Sequence, residues 1–283
     1  MNDLSPSILF QRQAVQPPYF AFTRVCSTDR GVTATFTPEH PMEYEAGVIA
    51  AAEAGRHLAI LGACAAAAKA DDDKKLYYLA TTALLSRTAF WPGHASELQA
   101  SAEVIEVTRR ELIATGKILA PHPIYTLRCS YQILSDRMFD RIFAAYRQPH
   151  LIQSVQSPYS KSIPIDDITP IEGGLAATVG PLHPSACAGH FPNLPAWPVA
   201  LVMHTLSRLA GYALQRLVRR QCSYSVVQAE VSAEHLAFAD QQLSLCVTHE
   251  SPIQQPTHYA LHCIASIDQH TVAIMQLILE TTD

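Results

Sequence analysis

Apolar and polar residues follow the same succession of patterns twice along the chain. Residues 19–37 alternate between apolar and polar around an Asp-Arg-Gly turn, which predicts two short β-strands. Residues 47–69 are rich in Ala and Leu, contain no proline and have helical spacing, so they predict one long helix. Three extended stretches follow at 76–90, 96–120 and 124–134, with turn signals between them. The first half is therefore predicted to contain two strands, a long helix and then further strands.

The second half repeats this order. Residues 163–182 predict a hairpin around a Gly-Gly pair, and residues 198–220 predict a second long helix. Extended patterns return at 223–239, 241–251 and 258–280. The two halves therefore share one order of elements.

The two predicted helices also align residue by residue. When Glu53 is set against His204, "EAGRHLA" lies opposite "HTLSRLA". A repeated unit of about 130 residues is too long for a solenoid and favours duplication of a whole domain. We therefore predict an α+β protein with two copies of one domain at 1–140 and 163–283, joined by a polar linker at 141–162.

Charge and composition exclude several classes of function. The formal net charge of the 283 residues is −5, and the basic residues form no stripe that would neutralise a nucleic-acid backbone. The first residues lack the basic and apolar regions of a secretory signal. The most apolar window, 47–70, is interrupted by Glu53, Arg56 and His57, which argues against a membrane span. We expect a cytoplasmic protein with no nucleic-acid partner.

Cysteines and histidines give no signal for a metal or cofactor. The seven cysteines are widely spaced and form no C-x-x-C pair, so we expect reduced thiols in the core. His258 and His262 lie on one face of a predicted strand, but no third ligand is evident. The charged run 71–75 predicts a solvated loop. We expect neither a metal nor a cofactor.

The segment "LHPSACAGHFPNLPAWPVALVMHTLSRLAG", 182–211, carries the most specific motif. Its GHFP turn, two spaced prolines and following helix resemble the active-site segment of the hotdog-fold 3-hydroxyacyl-ACP dehydratases. The resemblance implies a double hotdog, in which two fused copies each contain a long central helix wrapped by an antiparallel β-sheet. It also implies a monomer in place of a homodimer, with further dimerisation left open.

In that family the acid lies fourteen residues after the GHFP histidine, and this position is His204 here. The resemblance implies composite sites, in which the histidine of one copy faces the helix acid of the other. His190 would then face Glu53, the residue aligned with His204. The opposite pair, His204 with Glu39 or His40, would be a degenerate site.

The resemblance implies dehydration of a 3-hydroxyacyl-ACP or polyketide intermediate, in fatty acid or polyketide biosynthesis. His190 would take the α-proton and Glu53 would help protonate or position the departing hydroxyl, because such pairs can be tuned toward neutrality. The start of the second helix would polarise the thioester carbonyl. The predicted substrate-binding residues are Gly189, Phe191, Trp197, Pro198, Val199 and Val202, and the secondary candidates are His204, His57 and Tyr44.

Two alternatives remain open from the sequence. In a hotdog thioesterase or acyltransferase acting on acyl-ACP or acyl-CoA, Glu53 would activate water or another nucleophile and His190 would support it. In the second alternative the chain is a degenerate hotdog that binds acyl chains or a partner protein without catalysis. The missing acid at His204 and Val199 in place of the family's glycine motivate this alternative.

Overall fold

The computed structural model describes residues 2–70, 74–148, 157–249 and 257–282. Part of the predicted loop 71–75 and part of the predicted linker 141–162 therefore lie outside the described residues. Runs of strands flank two long helices in the described part, as the sequence predicts, and two short helices are present in addition.

The secondary structure of the described residues consists of strands β1 to β13 and helices α1 to α4. The strands are β1 (Asn2–Asp3), β2 (Phe22–Ser27), β3 (Gly31–Phe36), β4 (Leu76–Arg87), β5 (Leu98–Val107), β6 (Glu111–Ala120), β7 (His122–Ser135), β8 (Asp166–Ile171), β9 (Gly174–Val179), β10 (Tyr224–Ala233), β11 (Leu243–His249), β12 (His258–Ile267) and β13 (His270–Thr281). The helices are α1 (Pro6–Arg12), α2 (Ala51–Lys69), α3 (Asp136–Phe143) and α4 (Val199–Val218).

All these strands join one antiparallel sheet in the order β1-β2-β3-β5-β6-β7-β4-β10-β13-β12-β11-β9-β8. The two halves meet where β4 pairs with β10, between Ser86↔Gln228 and Thr82↔Ser232. From this seam outward, the strand order is β4-β7-β6-β5-β3-β2 in the first half and β10-β13-β12-β11-β9-β8 in the second. The strands of the two halves therefore correspond one to one, and β1 is additional in the first half. The predicted order of elements is therefore present in both halves, but the stretches 96–120 and 258–280, each predicted as one extended segment, form two strands each, β5 with β6 and β12 with β13.

Each long helix packs against the sheet on one side and against the other long helix on another. α2 packs against β3 to β7, α4 packs against β9 and β11 to β13, and the helices contact one another. Both are apolar around most of their circumference, as expected for helices covered on several sides. A Cβ on Gly62 would lie 2.7 Å from the Tyr131 hydroxyl, so the glycine lets α2 approach the sheet closely.

The predicted helices are confirmed, with shorter bounds than the sequence indicates. α2 begins at Ala51 and α4 at Val199, so Pro198 is the N-cap of α4 and not part of its first turn. No helix within the described ranges is long and apolar enough to cross a membrane. The cysteines are all free thiols, and only Cys246 is more than slightly exposed.

The short helices α1 and α3 were not predicted from the sequence, although the apolar residues of α3 recur with helical spacing. The boundary predicted at residue 141 falls inside α3, which is anchored by Phe139 stacking on Tyr77 with ring centroids 3.7 Å apart. Tyr159 of the predicted linker is buried, and its hydroxyl donates to the Ala188 carbonyl at 2.6 Å. Tyr159 therefore attaches residues 157–162 to the segment before the GHFP turn, whereas residues 141–148 are mostly exposed.

Candidate functional site

The GHFP turn is held in place by the N-terminal segment of the chain. Gly189 has φ +79°, and a Cβ there would lie 2.3 Å from the Gln16 carbonyl oxygen. The Gln16 N–H donates to the Gly189 carbonyl at 2.8 Å. Gly189 therefore makes room for backbone of the same chain, and it does not border the cavity described below.

His190 is a buried, neutral imidazole. Its Nδ1 lies 3.1 Å from the Ala196 carbonyl oxygen, which can only accept, so Nδ1 carries the proton and Nε2 has a free lone pair. Burial lowers the pKa of His190 to about 4. Its ring packs against Tyr19 and Phe191. Nε2 has no hydrogen-bond partner among the described residues, so it is available to accept a proton.

An apolar cavity of about 150 Å³ opens beside His190 and extends between α2 and α4. This volume has room for roughly ten water molecules. Ala52 and Arg56 line it from α2, and Met203 and Ser207 line it from α4. When Glu53 is aligned with His204, Ala52 aligns with Met203 and Arg56 with Ser207. Equivalent positions of the two helices therefore line the cavity from both halves.

The first turn of α4 brings unpaired donors to this cavity. Val199 and Ala200 both line it, and their backbone N–H groups have no acceptor in the part of the chain that the structure describes. By contrast, the first N–H of α2, from Ala51, donates to the Glu45 carboxylate at 2.7 Å. The start of α4, with two N–H groups that have no acceptor among the described residues and with the positive end of its dipole, therefore borders the cavity.

Glu53 is bound elsewhere, to the loop of its own half. Its buried carboxylate accepts from the backbone N–H of Glu39 at 2.7 Å and of His40 at 3.0 Å, and it lies 3.4 Å from His57 Nε2. Burial alone would raise the pKa of Glu53, but the hydrogen bond from His57, the electrostatic interaction with the imidazoles of His40 and His57 and the N–H of Glu39 lower it to about 2. The carboxylate is therefore ionised.

The predicted His190–Glu53 pair is consequently not brought together. None of the hydrogen bonds of Glu53 reaches His190, and Glu53 does not border the cavity among the described residues. Among the α2 residues that line the cavity, the one with a polar side chain is Arg56, almost one turn further along the helix. A helix position that is polar and internal can face either the cavity or a neighbouring loop, and sequence spacing does not distinguish these.

Arg56 ties together the segments around His190. Its guanidinium donates to the Tyr19 carbonyl at 2.8 and 3.1 Å and to the Glu39 carboxylate at 2.7 Å. It also lies over the rings of Tyr19 and Tyr159, 4.8 and 4.5 Å from their centroids. This buried cation joins the N-terminal segment, the 39–40 loop and the linker into one wall.

His204 faces the 39–40 loop of the other half. Its ring centroid is 5.1 Å from that of His40, and its Nε2 donates to the Pro41 carbonyl at 3.1 Å. Burial lowers the pKa of both imidazoles, that of His40 to about 3. The structure thus brings His204 next to His40, and neither residue lines the cavity beside His190.

The remaining predicted residues divide between the cavity and the core. Phe191 and Val199 line the cavity, whereas Trp197 and Val202 are buried in the surrounding core, and Pro198 caps α4. His57 stacks on Phe36 with centroids 3.9 Å apart. Tyr44 accepts from the Gln221 side chain and packs on Tyr212, away from the cavity.

Three cavity residues have no motif that would have identified them. Gln13 comes from the turn after α1, Tyr19 precedes β2, and Ser207 lies within α4. Their only signal in the sequence is that Ser207 aligns with Arg56 when Glu53 is set against His204. Gln13 and Tyr19 reach the site only because the N-terminal segment folds across the GHFP turn.

Comparisons with solved structures identify the fold. A protein of unknown function with the hotdog fold from Alicyclobacillus acidocaldarius matches with a TM-score of 0.56 at 10% identity, over 95% of this chain and 99% of that one. An acyl-CoA thioesterase II from Mycobacterium marinum matches with a TM-score of 0.54 at 11% identity, over 88% and 91%. An acyl-ACP thioesterase from Bacteroides thetaiotaomicron matches with a TM-score of 0.54 at 12% identity, over 88% and 97%. The chain therefore has a hotdog fold.

No protein-family model matches the sequence, and no curated protein matches it either. The prediction of a dehydratase, a hydro-lyase acting on 3-hydroxyacyl thioesters, is wrong, because structures similar over 88% of the chain are of proteins named as thioesterases. The state of Glu53 gives the physical reason. A carboxyl with a pKa of about 2 carries no proton to donate to a leaving hydroxide at neutral pH. The expected role in polyketide or fatty acid biosynthesis depended on the dehydratase prediction and is therefore no longer supported.

Proposed function

We propose that this chain hydrolyses an acyl thioester in the cavity between α2 and α4. One observation carries the proposal: His190, whose Nε2 has no hydrogen-bond partner among the described residues, lines the same apolar cavity as Val199 and Ala200, whose N–H groups have no acceptor there. Attack of water on a thioester carbonyl requires a base and donors for the developing oxyanion, and these residues would supply both. The thioesterase names of similar structures support the same reaction class.

In the proposed reaction, neutral His190 accepts a proton from water through Nε2 while the water oxygen attacks the thioester carbonyl carbon. The negative charge that develops on the carbonyl oxygen is stabilised by the N–H groups of Val199 and Ala200 and by the dipole of α4. When the tetrahedral intermediate collapses, the carbon–sulfur bond breaks. The leaving thiolate takes the proton from the His190 imidazolium, so the products are a carboxylic acid and a thiol.

Glu53 has a positioning role in this proposal. Its ionised carboxylate fixes the backbone of Glu39 and His40, and Glu39 in turn binds Arg56 in the cavity wall. Glu53 does not itself activate water in this proposal, because both of its carboxylate oxygens already accept hydrogen bonds inside the fold.

The proposed substrate is an acyl chain on a thiol carrier. The cavity is lined mainly by aliphatic and small side chains, which suits an alkyl chain. Gly55 leaves open space, since no atom lies within 4 Å of the position its Cβ would take. The names of similar structures suggest coenzyme A or acyl carrier protein as the carrier.

We also propose that the chain contains two copies of one hotdog unit, with the domain bounds 1–140 and 163–283 predicted from the sequence. The matching strand order on both sides of the β4–β10 seam supports this division. So do the equivalent cavity positions, Ala52 with Met203 and Arg56 with Ser207. The copies would then have diverged, because the GHFP turn is present only in the second.

The test is thiol release from decanoyl-CoA, with intact-mass analysis of decanoyl carrier protein in parallel. His190→Asn keeps a side-chain N–H near the position of Nδ1 for the Ala196 carbonyl but removes Nε2, so kcat/KM should fall at least a hundredfold. His183→Asn is the matched control, because His183 is exposed on the same loop. Gly55→Val, which adds methyl groups to open cavity space, should raise KM.

Each outcome decides between the candidate functions. Free decanoic acid formed by wild type and by His183→Asn, but not by His190→Asn, would support thioester hydrolysis through His190. Undiminished hydrolysis by His190→Asn would refute the role of this residue. Binding of the acyl chain without thiol release would favour the non-catalytic alternative, and transfer of the acyl group to a second acceptor would favour an acyltransferase.

A further inference from the structure

Two buried polar side chains of the cavity lack hydrogen-bond partners. Gln13 is 1% exposed and Ser207 is 3% exposed, and both line the cavity. Neither Gln13 Oε1 nor Ser207 Oγ has a partner among the described residues. Buried polar atoms in folded proteins are nearly always paired, because an unpaired one loses its hydration without compensation. These two atoms therefore need a partner that enters the cavity.

Ser207 is unusual even for a hydroxyl within a helix. Such hydroxyls commonly donate to a carbonyl of the preceding turn, and Thr205 of the same helix donates to the Val202 carbonyl at 2.8 Å. Ser207 Oγ makes no bond of this kind. Met203 of α4 and the small residues Ala52, Gly55 and Ala59 of α2 line the same cavity.

The position of Ser207 along α4 indicates where on a bound acyl chain this partner would be. Ser207 follows Val199 by eight residues, which corresponds to about 12 Å along the helix axis. An extended chain covers about 1.2 Å per bond, so Ser207 lies about ten bonds from a carbonyl at the start of α4.

We propose that the cavity selects acyl chains that carry a hydroxyl group about ten bonds from the thioester carbonyl, with Ser207 Oγ as its partner. A hydroxyl can donate to Ser207 and accept from it. It can also donate to an amide oxygen such as Gln13 Oε1, whereas a keto group can donate to neither. The proposal rests on the proposed function for the position of the carbonyl.

The test compares the binding of two non-hydrolysable thioether analogues, those of ω-hydroxydecanoyl-CoA and decanoyl-CoA, by isothermal titration calorimetry. Wild type should bind the hydroxylated analogue about tenfold more tightly, as one additional buried hydrogen bond implies. Ser207→Ala should lose this preference without losing affinity for the unsubstituted chain. Thr205→Val is the matched control on the same helix and should keep the preference, because the Thr205 hydroxyl is already paired.

Binding and hydrolysis are measured separately so that the two proposals can fail separately. Equal affinity of wild type for both analogues would overturn this inference, and so would a preference that survives Ser207→Ala. If wild type prefers the hydroxylated analogue but releases no thiol from either thioester, the proposed hydrolysis fails and the cavity specificity stands. If neither analogue binds, both proposals are overturned.

Discussion

The backbone N–H of His40 donates to the buried carboxylate of Glu53 at 3.0 Å, and this bond fixes the 39–40 loop on α2. The adjacent N–H of Glu39 donates to the other carboxylate oxygen at 2.7 Å. One ionised side chain thereby holds two successive peptide groups. The aligned residue in α4, His204, instead donates to the Pro41 carbonyl, so both helix positions bind the same loop.

Glu53→Gln should lower the free energy of unfolding by about 2–4 kcal/mol, since charged hydrogen bonds are lost and an amide NH2 would face a backbone donor. Urea denaturation at neutral pH measures this change. The exposed Glu97→Gln is the control and should leave the free energy of unfolding nearly unchanged. Equal stability of the two variants would contradict the assigned hydrogen bonds.

Because of the lowered pKa of Glu53, the free energy of unfolding should decrease at acidic pH. The pKa of Glu53 is lowered from 4.5 to about 2 in the fold, so its contribution is fully present above pH 4.5 and is lost as the pH falls through 2. The shift corresponds to about 3 kcal/mol. Denaturation curves of wild type and Glu53→Gln should therefore converge as the pH decreases through this window, and parallel curves would exclude the lowered pKa.

The pH dependence of hydrolysis should report His190. Burial lowers its pKa to about 4, and the reaction requires the neutral imidazole. The value of kcat/KM should therefore stay constant through neutral pH and fall tenfold per pH unit below about 4. Far-ultraviolet circular dichroism at each pH separates this loss from unfolding. An inflection near 6.5 in a folded sample would indicate that His190 is hydrated or is not the base.

Glu45 should show the opposite dependence to Glu53. Burial raises the pKa of Glu45 to about 7, although its carboxylate accepts from the Ala51 N–H. Because the folded pKa lies above the unfolded one, this group favours the fold most below pH 4.5, and that contribution is lost as the pH rises through 7. Glu45→Gln keeps an acceptor for Ala51 without the charge. It should be more stable than wild type by up to about 3 kcal/mol near pH 8.

At pH 4 the same variant should match wild type, because Glu45 is then protonated in both states of the wild-type chain. The comparison is best made by guanidinium denaturation at both pH values. A variant that is less stable than wild type near pH 8 would show that the ionised carboxylate contributes more as a cap of α2 than its burial costs.

Gly189→Ala should disturb the GHFP turn. Both Gly189 and Gly173 have positive φ, +79° and +69°, but only at Gly189 would a Cβ meet backbone, 2.3 Å from the Gln16 carbonyl oxygen. Gly173→Ala measures the conformational cost alone, about 1–2 kcal/mol. Gly189→Ala should cost about 1–3 kcal/mol more and should lower kcat, because the turn that carries His190 must move. Equal costs would mean that the N-terminal segment adjusts freely.

The alternation of residues 19–37 and the Ala-rich helix pattern of 47–69 were sufficient to predict β2, β3 and α2, because burial against a sheet imposes a period on a segment of that length. The helix α1 is too short to show such a period, whereas α3 is amphipathic but was not predicted. The GHFP motif indicated His190, which lines the cavity. It gave no indication that Glu53 binds the 39–40 loop, because a carboxylate that binds a loop and one that faces a cavity can occupy the same position in a sequence.

The sequence by itself determined the order of elements in both halves, the two central helices and the location of the histidine turn, because these depend on local periods and turn residues. Only the tertiary structure decided what surrounds His190. Gln13 and Tyr19 reach it from the N-terminal segment, Arg56 closes one wall, and Glu53 faces the 39–40 loop. These relationships arise from contacts between segments distant along the chain, and the direction in which a buried polar side chain points depends on the donors and acceptors that packing brings within reach.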